Sequence, residues 1–195
     1  MTKEEKKERE LLQQIMQGNK LAMKEFYDKN SGYLAAVCSR YIPNQEDIKD
    51  VLQESFIKIF KAINKFEYQG KGSLRAWSAR IVVNESLNHI KENEKLQLTT
   101  LPSWDLPDQT EDLEPDFEEI PTDIIMDMIQ SLPPGYRTVF NLFIFENKTH
   151  KEIASILNIS ENTSASQFHR AKALLVKEIE LYRLKLKHYE RSMAR

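Results

Sequence analysis

Two groups of side chains in this sequence have the chemistry to hold nucleic acid. The first lies in residues 149–172, where Asn162, Ser166, His169 and Arg170 fall on one face of a helix. Amide, hydroxyl, imidazole and guanidinium groups suit the donor and acceptor pattern of base edges in a DNA major groove. The second lies between Ser55 and Lys91. It holds Lys58, Lys61, Lys65, Lys71, Arg75, Arg80 and Lys91 against only Glu67 and Glu85, with aromatic residues interleaved. Cations neutralise phosphates and exposed rings catch unstacked bases, the two needs of single-strand binding.

The elements that position the first group read as a helix-turn-helix. Thr149 is an N-cap, and Glu152 three residues later completes a capping box. Ile153, Ala154, Ile156 and Leu157 give that helix an apolar face. Asn158 and Ile159 make the turn, and Ser160 caps a second helix. Ser164, Phe168, Ala171 and Leu175 form its packing stripe, leaving the polar face free for a major groove.

The second group belongs to an N-terminal helical block. Leu11, Leu12, Ile15 and Met16 form a short apolar face ending near Gly18. Ala22, Met23, Phe26 and Tyr27 begin a second, which Tyr33, Leu34, Val37, Cys38, Tyr41 and Ile42 continue to Pro43. Asn44 caps a long helix with Ile48, Val51, Leu52, Phe56, Ile59, Phe60 and Ile63 on its stripe and Asp47, Asp50, Gln53, Glu54 and Lys58 facing solvent. After a loop over 65–72, Ser73 caps a helix bearing Leu74, Trp77, Ile81, Leu87 and Ile90, with Arg75, Arg80, Asn84, Asn88 and Lys91 along it. Phe56, Phe60 and Trp77 have core spacing and are read as packing residues. Phe66 and Tyr68, in the glycine-flanked loop, are the candidates for base contact.

Composition sets the wider bounds. The chain has 195 residues, 41% hydrophobic, enough for one domain or two small ones. Few glycines and many Leu, Ile, Lys, Glu and Gln favour an all-α protein. The single cysteine, Cys38, excludes an internal disulfide and a cysteine-based zinc site, and its apolar neighbours mark it as a small buried side chain. No signal peptide and no 18-residue apolar run is present, so a soluble, cytoplasmic protein without membrane insertion is expected. No phosphate-binding glycine loop, nucleophile motif or His–acid cluster points to an enzyme, a metal site or a cofactor. Of the four histidines only His169 has a functional reading; His89, His150 and His188 are expected at the surface.

The net charge is only −2, yet it is unevenly spread. No Lys or Arg occurs between Lys95 and Arg137, and ten acids do. Two mildly basic stretches, 1–95 and 137–195, therefore flank an acidic one; domains are expected over 8–95 and 123–189, joined by a proline-containing connector over 96–122 that is extended or disordered.

Laid side by side, the two blocks resemble a bacterial RNA polymerase sigma factor of the extracytoplasmic-function (ECF) group. The run Asp47–Lys61, followed by Gly72–Lys91, is similar to the family's second conserved region. Leu132–Phe140 with the helix-turn-helix resembles its fourth, Ile159, Ser160, Thr163 and Ser164 being placed as in many members. The resemblance implies two small helical domains on a flexible linker, and a non-enzymatic factor. It would dock Asp47, Asp50, Gln53 and Glu54 on the coiled coil of the polymerase beta-prime subunit, with beta also in the complex. Phe66, Tyr68 and Asn84 would hold a base flipped from the melted −10 element while Lys71, Arg75 and Arg80 bind nearby phosphates. At the duplex −35 element it implies contacts from Asn162, Thr163, Ala165, Ser166, His169 and Arg170, with Arg137, Lys148 and Lys151 on phosphates. The connector would run through basic channels of the polymerase.

Two positions depart from the family pattern. Many members carry Lys or Arg where Ala165 stands and Gly where Asn162 stands. Ala165 offers only an apolar contact, such as a thymine methyl. Members are commonly held by an anti-sigma factor, and the free chain is expected to be monomeric. The competing reading is a dimeric helix-turn-helix regulator that binds duplex DNA and pairs through the amphipathic stretch 171–189. A helical interaction protein without a DNA role is a third.

Overall fold

The computed structural model describes residues 2–93 and 114–193, and these contain eight α-helices and no strand. The chain divides into two compact units, Met1–Lys95 and Leu96–Arg195.

The first unit is a four-helix arrangement. Thr2 and Glu5 form a capping box that opens α1 (Lys3–Met16). Gly18, with φ +77°, ends it in the left-handed region that glycine tolerates. Asn19 caps α2 (Lys20–Ser39), and Asn44 caps α3 (Gln45–Ala62), as the sequence predicts for the latter. A 3-10 turn (Ile63–Lys65) leads into the loop, and α4 (Ser73–Asn93) follows. α4 packs on both α2 and α3. Ser55, Ser78 and Ser86 are fully buried and donate to the carbonyls one turn back, of Val51, Leu74 and Val82. Such small side chains satisfy their hydroxyls locally and let the helices approach. Phe26 meets Phe56 and Phe60 edge-on at 6.4 and 6.2 Å, which makes these rings core as expected. Cys38 is buried beside Ser86, and burial pushes its thiol pKa up.

One cap differs from expectation. α4 begins at Ser73 itself, so Ser73 is not the N-cap. Its hydroxyl donates to the Gly70 carbonyl (2.6 Å) and accepts from the Gln69 N–H (3.2 Å), closing the loop over its own entry.

The second unit holds α5 (Thr122–Ser131), α6 (Pro134–Ile144), α7 (His150–Leu157) and α8 (Glu161–Met193). Its core joins Ile120, Met128, Ile129, Leu132, Tyr136 and Phe140 to Ala171, Leu175 and Ile179 of α8. α6 and α8 cross closely at Gly135, where a Cβ would lie 3.3 Å from the buried Gln167 amide oxygen. α8 runs unbroken for 33 residues. Part of the apolar dimer face considered above is used within the unit: Leu174, Leu175, Ile179 and Tyr182 pack into its own core, while Leu181, Leu184, Leu186 and Tyr189 are exposed.

Residues 114–121, which composition places in the connector, are non-helical, with a turn at Glu118 and Glu119, and are anchored on this unit. Ile120 is buried and Phe117 packs beside it. Lys172 Nζ reaches Glu114 at 2.7 Å, and Arg183 reaches Asp116 at 2.9 Å. A stretch rich in acids and proline reads as solvated from its average composition, but two apolar side chains and two ion pairs suffice to hold it. The rest of the expected connector lies outside the described residues.

Candidate nucleic-acid interface

In the first unit, the loop after the 3-10 turn and the start of α4 enclose a pocket of about 280 Å³. Lys65, Phe66, Glu67, Gln69, Ser73, Ala76, Trp77 and Arg80 line it. Arg80 stands exposed at its edge, and Asn84 follows one turn on along α4, also exposed. A cation thus borders a concave site with aromatic walls, and an amide lies one helical turn beyond it.

The expected ring contacts are corrected here. Phe66 is only 9% exposed and packs on Trp77 with centroids 5.1 Å apart, so it forms the pocket floor and does not stand free in the loop. Tyr68 is half-buried. Its hydroxyl donates to Glu8 of α1 (3.2 Å), and the Arg9 guanidinium lies 4.6 Å above its ring. Desolvation, with the Glu8 charge, pushes the phenol pKa up. Tyr68 therefore braces the loop against α1.

The bases predicted here are exposed but not idle. Lys71 pairs with Glu4, which holds the Glu4 carboxyl below and the Lys71 amine above their ordinary pKa values. Arg75 stacks 3.7 Å over the Tyr33 ring. Both cations are oriented before any ligand arrives. On α3, Asp50, Gln53 and Glu54 are exposed, while Asp47 is half-exposed with a carboxylate oxygen 3.5 Å from His89 Nε2. Gln53 also borders an open groove with Tyr27, Leu52, Phe56, Ile57 and Phe60.

In the second unit, α7 and the start of α8 form the predicted helix-turn-helix. Thr149 and Glu152 make the capping box, and the Thr149 N–H is the main cause of the lowered Glu152 pKa. Asn158 turns the chain with φ 55°, a conformation asparagine tolerates. Ser160 Oγ accepts from the Thr163 N–H (2.9 Å) and so caps α8, while bonding the Thr163 hydroxyl (2.8 Å). Ser164, Ala171 and Leu175 are fully buried, which confirms the packing stripe. Asn162, Ala165 and Ser166 are exposed on the other side; His169 and Arg170 are half-buried, Arg170 reaching the Tyr136 hydroxyl at 3.3 Å. Lys151 is exposed, and Lys148 lies 3.4 Å from Glu152.

Arg137 is not a phosphate anchor. It is 4% exposed and donates from Nη1 to the carbonyls of Gln130 and Leu132, at 2.8 and 3.1 Å. It ties off the C-terminal end of α5, where orphan carbonyls need donors.

Comparison with known proteins matches this layout. A family model for Sigma-70 region 2 matches residues 26–96, and one for Sigma-70, region 4 matches residues 122–175. An ECF RNA polymerase sigma-E factor of Haemophilus influenzae is 27% identical over 180 residues, 87% of this chain and 94% of that one. The RNA polymerase sigma-H factor of Pseudomonas aeruginosa is 23% identical over 186 residues, 90% of this chain and 95% of that one. The chain belongs to the ECF sigma factors.

A solved structure of CnrH in complex with the cytosolic domain of CnrY also aligns, at 22% identity and a TM-score of 0.45, over 89% of this sigma factor and 97% of that chain. No helix among the described residues is long and apolar enough to cross a membrane.

Three residues of this sigma factor escaped the sequence reading. Glu8 and Arg9 lie on α1, some 60 positions before the loop they hold, and nothing in local spacing pairs them with it. His150, expected at the surface, stacks on Phe143 (centroids 4.8 Å apart) and bonds Ser164. Its place as the first residue of α7, facing the next helix, was the available signal.

Proposed function

We propose that this sigma factor is a non-enzymatic initiation factor that binds core RNA polymerase and reads a two-part promoter, one unit per element. The observation that carries the reading is the pocket at the foot of α4, lined by Arg80, with Asn84 exposed one turn further along the same helix. An unstacked base of the −10 element enters it over Phe66 and Trp77. The Asn84 amide supplies both donor and acceptor to a base edge. Lys71, Arg75 and Arg80 take the neighbouring phosphates. Unstacking a base costs a few kcal/mol, which these contacts offset.

The exposed face of α8, with Asn162, Ala165, Ser166, His169 and Arg170, meets the −35 duplex, while Lys148 and Lys151 hold its backbone. Because Ala165 brings no hydrogen bond, readout there leans on a methyl contact and on DNA shape. Asp50, Gln53 and Glu54 present acids and an amide on a rigid helix, a match for a basic surface of the beta-prime subunit. The free protein is a monomer; Leu174, Leu175, Ile179 and Tyr182, which pairing through 171–189 would use, pack into its own core.

In vitro transcription with purified core enzyme from the same host tests the reading. New start sites are expected when the protein is added; unchanged start sites overturn it. Replacing Asn84 with Ala is expected to impair opening and leave duplex −35 binding intact.

A further inference from the structure

Outside the segments matched to sigma regions 2 and 4, one element holds the loop that borders the pocket. α1 ends at Met16, ten residues before the region 2 match begins, yet it holds the pocket's loop. Glu8 makes the connection. Its carboxylate accepts the Gly72 N–H at 2.9 and 3.2 Å and the Tyr68 hydroxyl at 3.2 Å. Gly72 immediately precedes α4, and its φ of +82° leaves its N–H turned out of the helix. An acid at this point also meets the positive end of the α4 dipole. Arg9, the next residue of α1, covers the Tyr68 ring.

We infer that Glu8 is a positioning residue for base selection at the −10 element. The inference rests on the reading of the pocket given above. The loop 66–72 has no regular structure of its own, and its glycines at 70 and 72 both have positive φ. Left to itself it would sample many shapes. Glu8 pins it at two points: Tyr68, two residues after the pocket floor at Phe66, and Gly72, at the mouth of α4. Between those pins lies Gln69, which lines the pocket. The distance from Gln69 and Glu67 to the rim at Arg80 therefore depends on a carboxylate contributed by α1. A site held to fixed geometry discriminates between bases, because a misfit base leaves polar groups unpaired; a loose one does not. The Glu4–Lys71 pair adds a second, exposed tie that a phosphate can replace.

The test is transcription by reconstituted holoenzyme from four templates that differ only in the base flipped at the −10 element. The readout is the ratio of transcript from the best and worst template. That ratio does not change with the amount of active protein, so a merely structural role does not move it. E8A is expected to narrow the ratio at least fivefold. E8Q keeps an acceptor for the Gly72 N–H and is expected to narrow it less. Tyr68→Phe removes one hydroxyl and is expected to narrow it in the same direction; it decides the matter alone if E8A does not fold. Ratios within twofold of the unaltered protein for E8A, or for Tyr68→Phe where E8A does not fold, overturn the role of Glu8 while leaving the pocket reading intact. An unaltered holoenzyme that starts correctly yet shows no preference among the templates overturns both.

Discussion

His150 Nδ1 and Ser164 Oγ lie 3.0 Å apart, joining the first helix of the helix-turn-helix to the second. Ser164 is fully buried, and the imidazole is stacked between the Phe143 ring and the edge of Phe168. The angle at which α8 leaves α7, and so the pose of its exposed face, is set partly by this bond.

His150→Ala is therefore expected to destabilise the second unit by about 1–3 kcal/mol, since it strands a buried hydroxyl and opens a gap beside two rings. Binding of the holoenzyme to a −35 duplex should weaken while −10 discrimination stays as it was. Denaturant unfolding followed by amide exchange in α7 and α8 measures the first effect. Unchanged exchange there would show that the hydrogen bond carries no weight.

Arg137 and Lys151 separate a structural cation from a DNA-facing one. Arg137→Ala removes two hydrogen bonds to backbone carbonyls from a buried site and is expected to cost about 2–4 kcal/mol of stability. Lys151→Ala, at an exposed position, should leave stability alone and lower the salt slope of promoter binding by about one ion. Titrations of holoenzyme on promoter DNA at several salt concentrations, beside melting curves, distinguish the two.

The contrast shows where the sequence was legible. Helical periodicity located the helices of the first unit and the last two of the second, and caps such as Asn44 and the Thr149–Glu152 box marked starts within a residue. The packing stripe of α8 and the solvent face of α3 followed from the same spacing. What periodicity cannot carry is a bond between distant segments. Glu8 and Gly72 are 64 positions apart, and Arg137 looks the same in sequence whether it points to water or to a helix end. Phe66 was misjudged because a loop position suggests exposure, whereas a ring five ångströms from Trp77 is core. Residues 114–121 were misjudged because acids and prolines outweigh Phe117 and Ile120 in any average.

That anchored segment has a pH signature. The Glu118 N–H, and after it the Arg183 guanidinium, hold the Asp116 carboxyl below its ordinary pKa. A depressed carboxylate contributes stability that is present above its unfolded-state pKa and is lost as pH falls through the folded value. The ion pair with Arg183 should thus persist at neutral pH and loosen only below about pH 4. Amide exchange at residues 117–120 is expected to quicken on acidification through that range. Asp116→Asn should show the faster exchange already at neutral pH. Equal exchange in the two proteins at pH 7 would mean that the apolar contacts alone hold the segment.

Phe66 in the pocket and Asn84, one turn of α4 beyond Arg80, have opposite expected consequences. Phe66→Ala removes a buried ring that packs on Trp77 and is expected to cost about 3–5 kcal/mol of stability in the first unit. Asn84→Ala changes an exposed side chain and should stay within about 0.5 kcal/mol of the parent. Promoter opening should respond the other way round per folded molecule. Permanganate reactivity of unpaired thymines in the −10 element reports opening directly. Asn84→Ala should reduce it on duplex promoter and largely recover on a template whose −10 region is already mismatched, because the unstacking cost has then been met by the DNA. Recovery on the mismatched template places Asn84 at the melting step; no recovery would assign it to contacts with the polymerase instead.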